Sequence, residues 1–144
     1  MLRVKHLLGD KADGSQLWMI EAEDPVLEAI QLMADKRIGA LPVMRGNAMV
    51  GIVSERDYAR KVILHGRSSA ETPVWQIMTA HVITVQPEDT VHHCMQLMTD
   101  NRVRHLPVME KGKLIGMVSI GDLVKAVIDE QQQTITQLEK YIAS

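Results

Sequence analysis

The sequence predicts an α+β fold of the α/β-sandwich kind, built from two tandem βαββα repeats packed with pseudo-twofold symmetry. Three observations carry that prediction. The first is a register: a shift of 65 places lays Asp24, Val26 and Gln31-Leu32-Met33 on Asp89, Val91 and Gln96-Leu97-Met98. It also lays Asp35 and Arg37 on Asp100 and Arg102, and Leu41-Pro42-Val43-Met44 on Leu106-Pro107-Val108-Met109. Gly51, Val53, Ser54 and Asp57 then fall on Gly116, Val118, Ser119 and Asp122, with no gap from Asp24 to Asp57. The second is a helical period of apolar residues in each copy, and the third is a pair of short apolar runs after it, joined by a polar turn.

In chain order, an extended lead-in is expected at Leu17–Ile20 and its counterpart at Val82–Val85. Val26, Ala29, Ile30 and Met33 recur at i, i+3, i+4 and i+7, one face of a helix, and Val91, Cys94, Met95 and Met98 repeat it. Asp24-Pro25 is a good start, with Pro expected at the first helical position, where its missing N–H costs nothing. Strands follow at Ala40–Met44 and Met49–Val53 around Arg45-Gly46-Asn47, and at His105–Met109 and Leu114–Val118 around Glu110-Lys111-Gly112. Ser54 opens a second helix running to about Leu64. Repeat 1 is placed at 12–66, repeat 2 at 77–130, and a helical extension at 131–144, all in one module over 1–144. A repeat of roughly 50 residues buries little by itself, so the two are expected to share a core. Val4, Leu7 and Leu8, within Met1–Lys11, suit a short helix packing on the other copy.

Composition narrows the class. Apolar residues make up 46% and charged residues 24%, with ten Met, no Phe and 3% aromatics, so the core is expected to be aliphatic and rich in Met. A formal net charge of −2 gives no electrostatic case for nucleic acid or anionic membrane. No run approaches the ~20 apolar residues of a membrane span, and no signal-peptide pattern starts the chain. The single Cys94 forms no internal disulfide and fits a reducing, cytoplasmic setting.

The chemistry concentrates where each second strand ends, at GIVSERD (Gly51 to Asp57) and GMVSIGD (Gly116 to Asp122). Two readings compete. Ser followed three places later by an acid resembles a capping box, both side chains serving orphan backbone N–H groups. Alternatively, a helix N-terminus with an ionised Asp suits a ligand bearing hydroxyls and phosphate. The two are compatible if Ser54 and Ser119 cap while Asp57 and Asp122 face outward.

These residues resemble the CBS (cystathionine-β-synthase) domain, and the tandem resembles a CBS pair, or Bateman module, of the stand-alone bacterial kind. The resemblance covers about Leu17 to Val127. It implies a regulatory module holding adenosine-containing ligands in clefts between the copies: AMP first, with ATP, ADP, NAD or S-adenosylmethionine as alternatives. It implies ribose contacts at Asp57 and Asp122 with Ser54 and Ser119 beside them. Base or phosphate contacts are implied at Ile38, Gly39, Ala40 and Pro42, and at Arg104, His105, Leu106 and Pro107. Met19, Ile20, Thr84 and Val85 are implied at the cleft from the lead-ins. A homodimer and a regulated protein partner are implied too.

The copies differ in informative ways. Ile38-Gly39-Ala40 is small and apolar where Val103-Arg104-His105 is basic, and Arg56 stands where the second copy has Gly121. Both clefts are therefore expected to take a phosphate-bearing nucleotide with unequal affinity. Arg37 and Arg102 read as helix-end cations, Cys94 as a buried inert thiol, and His92-His93 as unable to share a metal. None of the phosphate-loop, dinucleotide-loop or nucleophile-elbow motifs occurs, so catalysis is not expected. A sensor is weighed against an interaction scaffold with degenerate clefts.

Overall fold

The computed structural model describes residues 1–9 and 17–143. The expected start of repeat 1, at 12–16, and the end of the N-terminal helix at Lys11 lie outside the described residues. Two compact units result: Leu17–Ile83, and the described residues of Met1–Gln16 with Thr84–Ser144.

In the unit Leu17–Ile83, strand β1 (Ile20–Glu21) leads into helix α2 (Val26–Lys36), then β2 (Ala40–Arg45), β3 (Ala48–Ser54) and helix α3 (Glu55–Tyr58). Helix α1 belongs to the other unit and is taken below. β1 pairs parallel to β2, and β2 antiparallel to β3, in the order β1-β2-β3. Helix α3 passes into one π turn, Ala59–Ile63, closed by Leu64 N–H donating to the Ala59 carbonyl at 3.2 Å. Gly66, at φ +64°, then stops the helix in the left-handed conformation that favours glycine. A 3₁₀ turn at Val74–Gln76 completes the unit.

The other unit repeats the plan. It holds α1 (Val4–Gly9), α4 (Val91–Asn101), β4 (His105–Glu110), β5 (Lys113–Ser119) and α5 (Ile120–Ala143). Both hairpins carry a register shift at the same place, between Val43 and Met44 and between Val108 and Met109. Gln131 stands where the first copy has Gly66, and α5 runs on for 24 residues.

Each unit is closed by a segment lying before the other repeat in sequence. Val74 N–H donates to the Asp24 carbonyl at 2.9 Å and Trp75 N–H to that of Ala22 at 3.0 Å; Val4 and Lys5 do the same to Asp89 and Pro87, each at 2.9 Å. The Thr72 carbonyl accepts from Val26 N–H at 2.8 Å, as the Leu2 carbonyl accepts from Val91 N–H at 3.0 Å. Residues 72–78 of one unit thus play the part that residues 2–8 play in the other.

Four expectations need correcting. The first lead-in is a strand only at Ile20–Glu21, and the second is a single parallel bridge between Val85 and Val108. Pro87, which has no N–H to donate, lies just beyond, and the chain turns there with Asp89 N–H on the Gln86 carbonyl at 3.0 Å. Pro25 is the N-cap of α2, at ψ 147°, rather than its first helical residue. The core is aliphatic but built on valine: among the described residues ten valines are more than nine-tenths buried, against three methionines, Met33, Met44 and Met98. β-Branched residues suit the hairpins that supply much of it.

Candidate functional site: the two strand-to-helix junctions

At the first junction β3 ends in extended backbone at Ser54 (φ −127°, ψ 165°), which lets its side chain turn back on the helix it precedes. Ser54 Oγ accepts from Asp57 N–H at 3.1 Å, and Asp57 Oδ2 accepts from Ser54 N–H at 3.0 Å and from Ser54 Oγ–H at 3.1 Å. The box is complete. Asp57 Oδ1 faces Lys61 Nζ at 3.1 Å, and that ammonium also donates to the Ile77 carbonyl at 3.0 Å. The Asp57 side chain is only 13% exposed, so its charge is met from within the unit.

The second junction repeats the box. Asp122 Oδ2 accepts from Ser119 N–H at 2.9 Å, and Ser119 Oγ accepts from Asp122 N–H at 3.1 Å. In both copies the residue before the first hairpin strand supplies one more cap. Glu55 N–H donates to the Gly39 carbonyl at 3.1 Å, and Ile120 N–H to the Arg104 carbonyl at 2.9 Å. Ala40 lies opposite Ser54 and His105 opposite Ser119, so strand register brings the two halves of each expected site together.

The surroundings differ. A groove of about 460 Å³ runs past Asp122, lined by His6 and Leu7 of α1 and by Lys125, Asp129 and Glu130 of α5. Ala126 holds the place that Lys61 has in the first copy. His105 is half-buried, and burial pushes its pKa below the ordinary 6.5; Arg104 adds to that, and Asp122 opposes it. Arg56, Arg104 and Gly121 are exposed.

Several expected contacts are core residues. Ile20, Ala40, Val85 and Leu106 are at most 4% exposed, and Pro42 and Pro107 are buried. What these positions can offer a ligand is backbone. Ile38 and Gly39 are half-buried and Thr84 is exposed. Met19 and Ile20 line a separate groove of about 580 Å³ walled by Glu21, Asp24, Glu28 and Asp35, a charge set that repels phosphate. Sequence reasoning missed Lys61, although its i+4 spacing from Asp57 was there to be read, and missed His6, which reaches Asp122's groove only through the packing of α1. Cys94 is fully buried, and burial and Asp89 push its thiol up to about 11.

Two junctions of one design in one chain define a tandem CBS pair. The chain belongs to the CBS domain family, whose model matches residues 15–64 and 74–129. It is 48% identical over 139 residues to the mitochondrial CBS domain-containing protein CBSX3 of Arabidopsis thaliana, covering 93% of this chain and 67% of that one. A CBS-domain protein of Burkholderia ambifaria MC40-6 shares 52% identity at a TM-score of 0.84, over 90% of this chain and 96% of that one. The CBS domain pair of protein MJ0100, solved with 5′-methylthioadenosine and S-adenosyl-L-methionine, shares the fold at a TM-score of 0.76 and 21% identity, over 90% and 98% of the two chains.

Proposed function

We propose that this chain is a regulatory module that binds an adenosine-containing ligand at its strand-to-helix junctions and reports it by a ligand-dependent conformational change. CBS-pair proteins are generally regulatory, and the relative MJ0100 was solved with two adenosine compounds. The observation that carries the reading is the junction at Asp122. There Asp122 lines a groove of a volume suited to a small ligand, Ser119 hydrogen-bonds to that carboxylate, half-buried His105 stands opposite Ser119 in the hairpin, and the exposed Arg104 precedes His105 in the chain. The carboxylate serves ribose hydroxyls, and the Arg104 guanidinium, with an N–H of neutral His105, serves phosphate. AMP is the first choice; ATP, ADP, NAD and S-adenosylmethionine are the alternatives.

At Asp57 a ribose has to share the carboxylate with Lys61, and because Arg56 and Ala40 stand where the second copy has Gly121 and His105, the two junctions bind unequally. The module works as a binder rather than an enzyme, as a homodimer in the cytoplasm, and passes its signal to a protein partner. Ligand binding shifts its population only as far as the ligand's affinities for the two states differ.

The capping boxes favour a second reading, a protein-interaction scaffold, because they give each Ser–Asp pair a structural task. Calorimetry with AMP, ATP, NAD and S-adenosylmethionine separates the two. Asp122→Asn keeps an acceptor for Ser119 N–H but removes the charge, so binding is expected to weaken about tenfold or more with little loss of stability. Binding unchanged in both Asp122→Asn and Asp57→Asn removes the ribose role, and no binding of any of the four ligands favours the scaffold.

A further inference from the structure

The outer half of α5 carries an apolar seam that neither junction uses. Every residue from 128 to 143 is exposed. Ile128, Ile135, Leu138 and Ile142 are 57%, 47%, 56% and 81% exposed, and Val124, at 41%, begins the row. Ile128, Ile135 and Ile142 are spaced by seven, as are Val124, Gln131 and Leu138, and the two sets interleave by threes and fours. This is a heptad with Ile at a, and Val, Gln and Leu at d.

The helix itself asks for a partner. Its outer part holds Thr134, Ile135, Thr136 and Ile142, β-branched residues of lower helix propensity. A stretch of roughly 15 such residues is marginal as an isolated helix in water. We propose that this seam pairs with the same helix of a second copy of the chain, parallel and in register.

Three features choose that occupant. A strict seven-residue repeat makes a narrow two-helix seam, whereas a helix lying on a globular core shows a wider stripe. Ile at all three a positions, with Leu138 at d, suits two parallel strands, and the polar Gln131 at d sets the register, because a slip of one heptad sets it against Leu138. In register, g faces e of the next heptad, Val127 against Gln132 and Thr134 against Glu139, so no like charges meet. The five seam residues expose on the order of 500 Å² of side chain per copy, so a pair with its flanking residues comes near the lower bound of specific interfaces. An anionic membrane surface fits poorly, because the outer face carries Asp129, Glu130 and Lys140 rather than a field of Lys and Arg.

Disulfide trapping tests the pairing. Gln131→Cys sets a thiol at d and Gln133→Cys one at the outer f position, while Cys94 is fully buried and stays silent. Gln131→Cys is expected to form a covalent dimer, twice the 16.1 kDa chain, under mild oxidation. Trapping is expected to be about tenfold or more slower at Gln133→Cys, where facing Cα atoms lie too far apart for a disulfide. Adding Ile135→Lys and Leu138→Lys removes the trapping while thermal melting of the rest of the chain persists. Trapping at 131 no faster than at 133 overturns the proposal, whether the particle is then a monomer with its helix folded back or a dimer through another face. Co-sedimentation of the unmodified chain with phosphatidylglycerol–phosphatidylcholine vesicles, without selective trapping, gives the seam to a membrane and overturns it too.

Discussion

Two glycines at matching strand positions show how closely the closing segments approach the sheets. A Cβ on Gly51 would stand 2.5 Å from Met78 Sδ and 2.9 Å from the Thr79 carbonyl oxygen; on Gly116 it would stand 2.7 Å from Leu8 Cδ2. The backbone oxygen cannot turn away, and the end of a leucine can. Gly51→Ala is therefore expected to cost about 1–3 kcal/mol in denaturant melts and Gly116→Ala less. His105 gives a pH signature. Its folded pKa lies below the unfolded value of 6.5, so the unfolded chain binds more protons in that range. The stability contributed by neutral His105 is complete above pH 6.5 and is lost as pH falls from there through the folded pKa. The melting temperature is expected to drop between pH 7 and 5, with a shallower drop in His105→Asn. An unchanged slope in His105→Asn would show that folding leaves the His105 pKa at its unfolded value.

At the scale of elements, the two copies solve the same capping problem differently. Thr90 Oγ1 accepts from His93 N–H at 3.0 Å at the start of α4, whereas Pro25, its counterpart, has no side-chain acceptor. The first copy uses the Ser69 carbonyl for Leu27 N–H at 2.9 Å instead. Thr90→Ala is expected to cost about 1 kcal/mol by chemical denaturation, a loss absent from Pro25→Ala. The helices, hairpins and turns were legible because their signals are local: apolar period, polar turns and Ser–Asp caps. The short lead-in strands were over-read because two or three extended residues carry no period, and the turn at Pro87 ends the pairing early. The π turn at Ala59–Ile63 had no sequence signal of its own.

For the whole molecule, the closing segments matter most. Residues 2–8 and 72–78 make matching hydrogen bonds in the two units, although they break the 65-place register that relates the repeats. Val4 is fully buried and Leu7 is 8% exposed. Deleting residues 1–9 is thus expected to remove about 3–6 kcal/mol from the unit holding Thr84–Ser144, seen as an earlier transition in thermal melts. The Leu17–Ile83 unit keeps its own closing segment and is expected to lose far less. The sequence by itself determined the duplication, the order of elements and the two Ser–Asp junctions, because repeats, periods and caps are written in neighbouring residues. Only the tertiary structure decided which segment completes which unit and where each carboxylate points. Those outcomes rest on contacts between residues distant along the chain: the Leu2 carbonyl on Val91 N–H, and His6 beside the groove of Asp122.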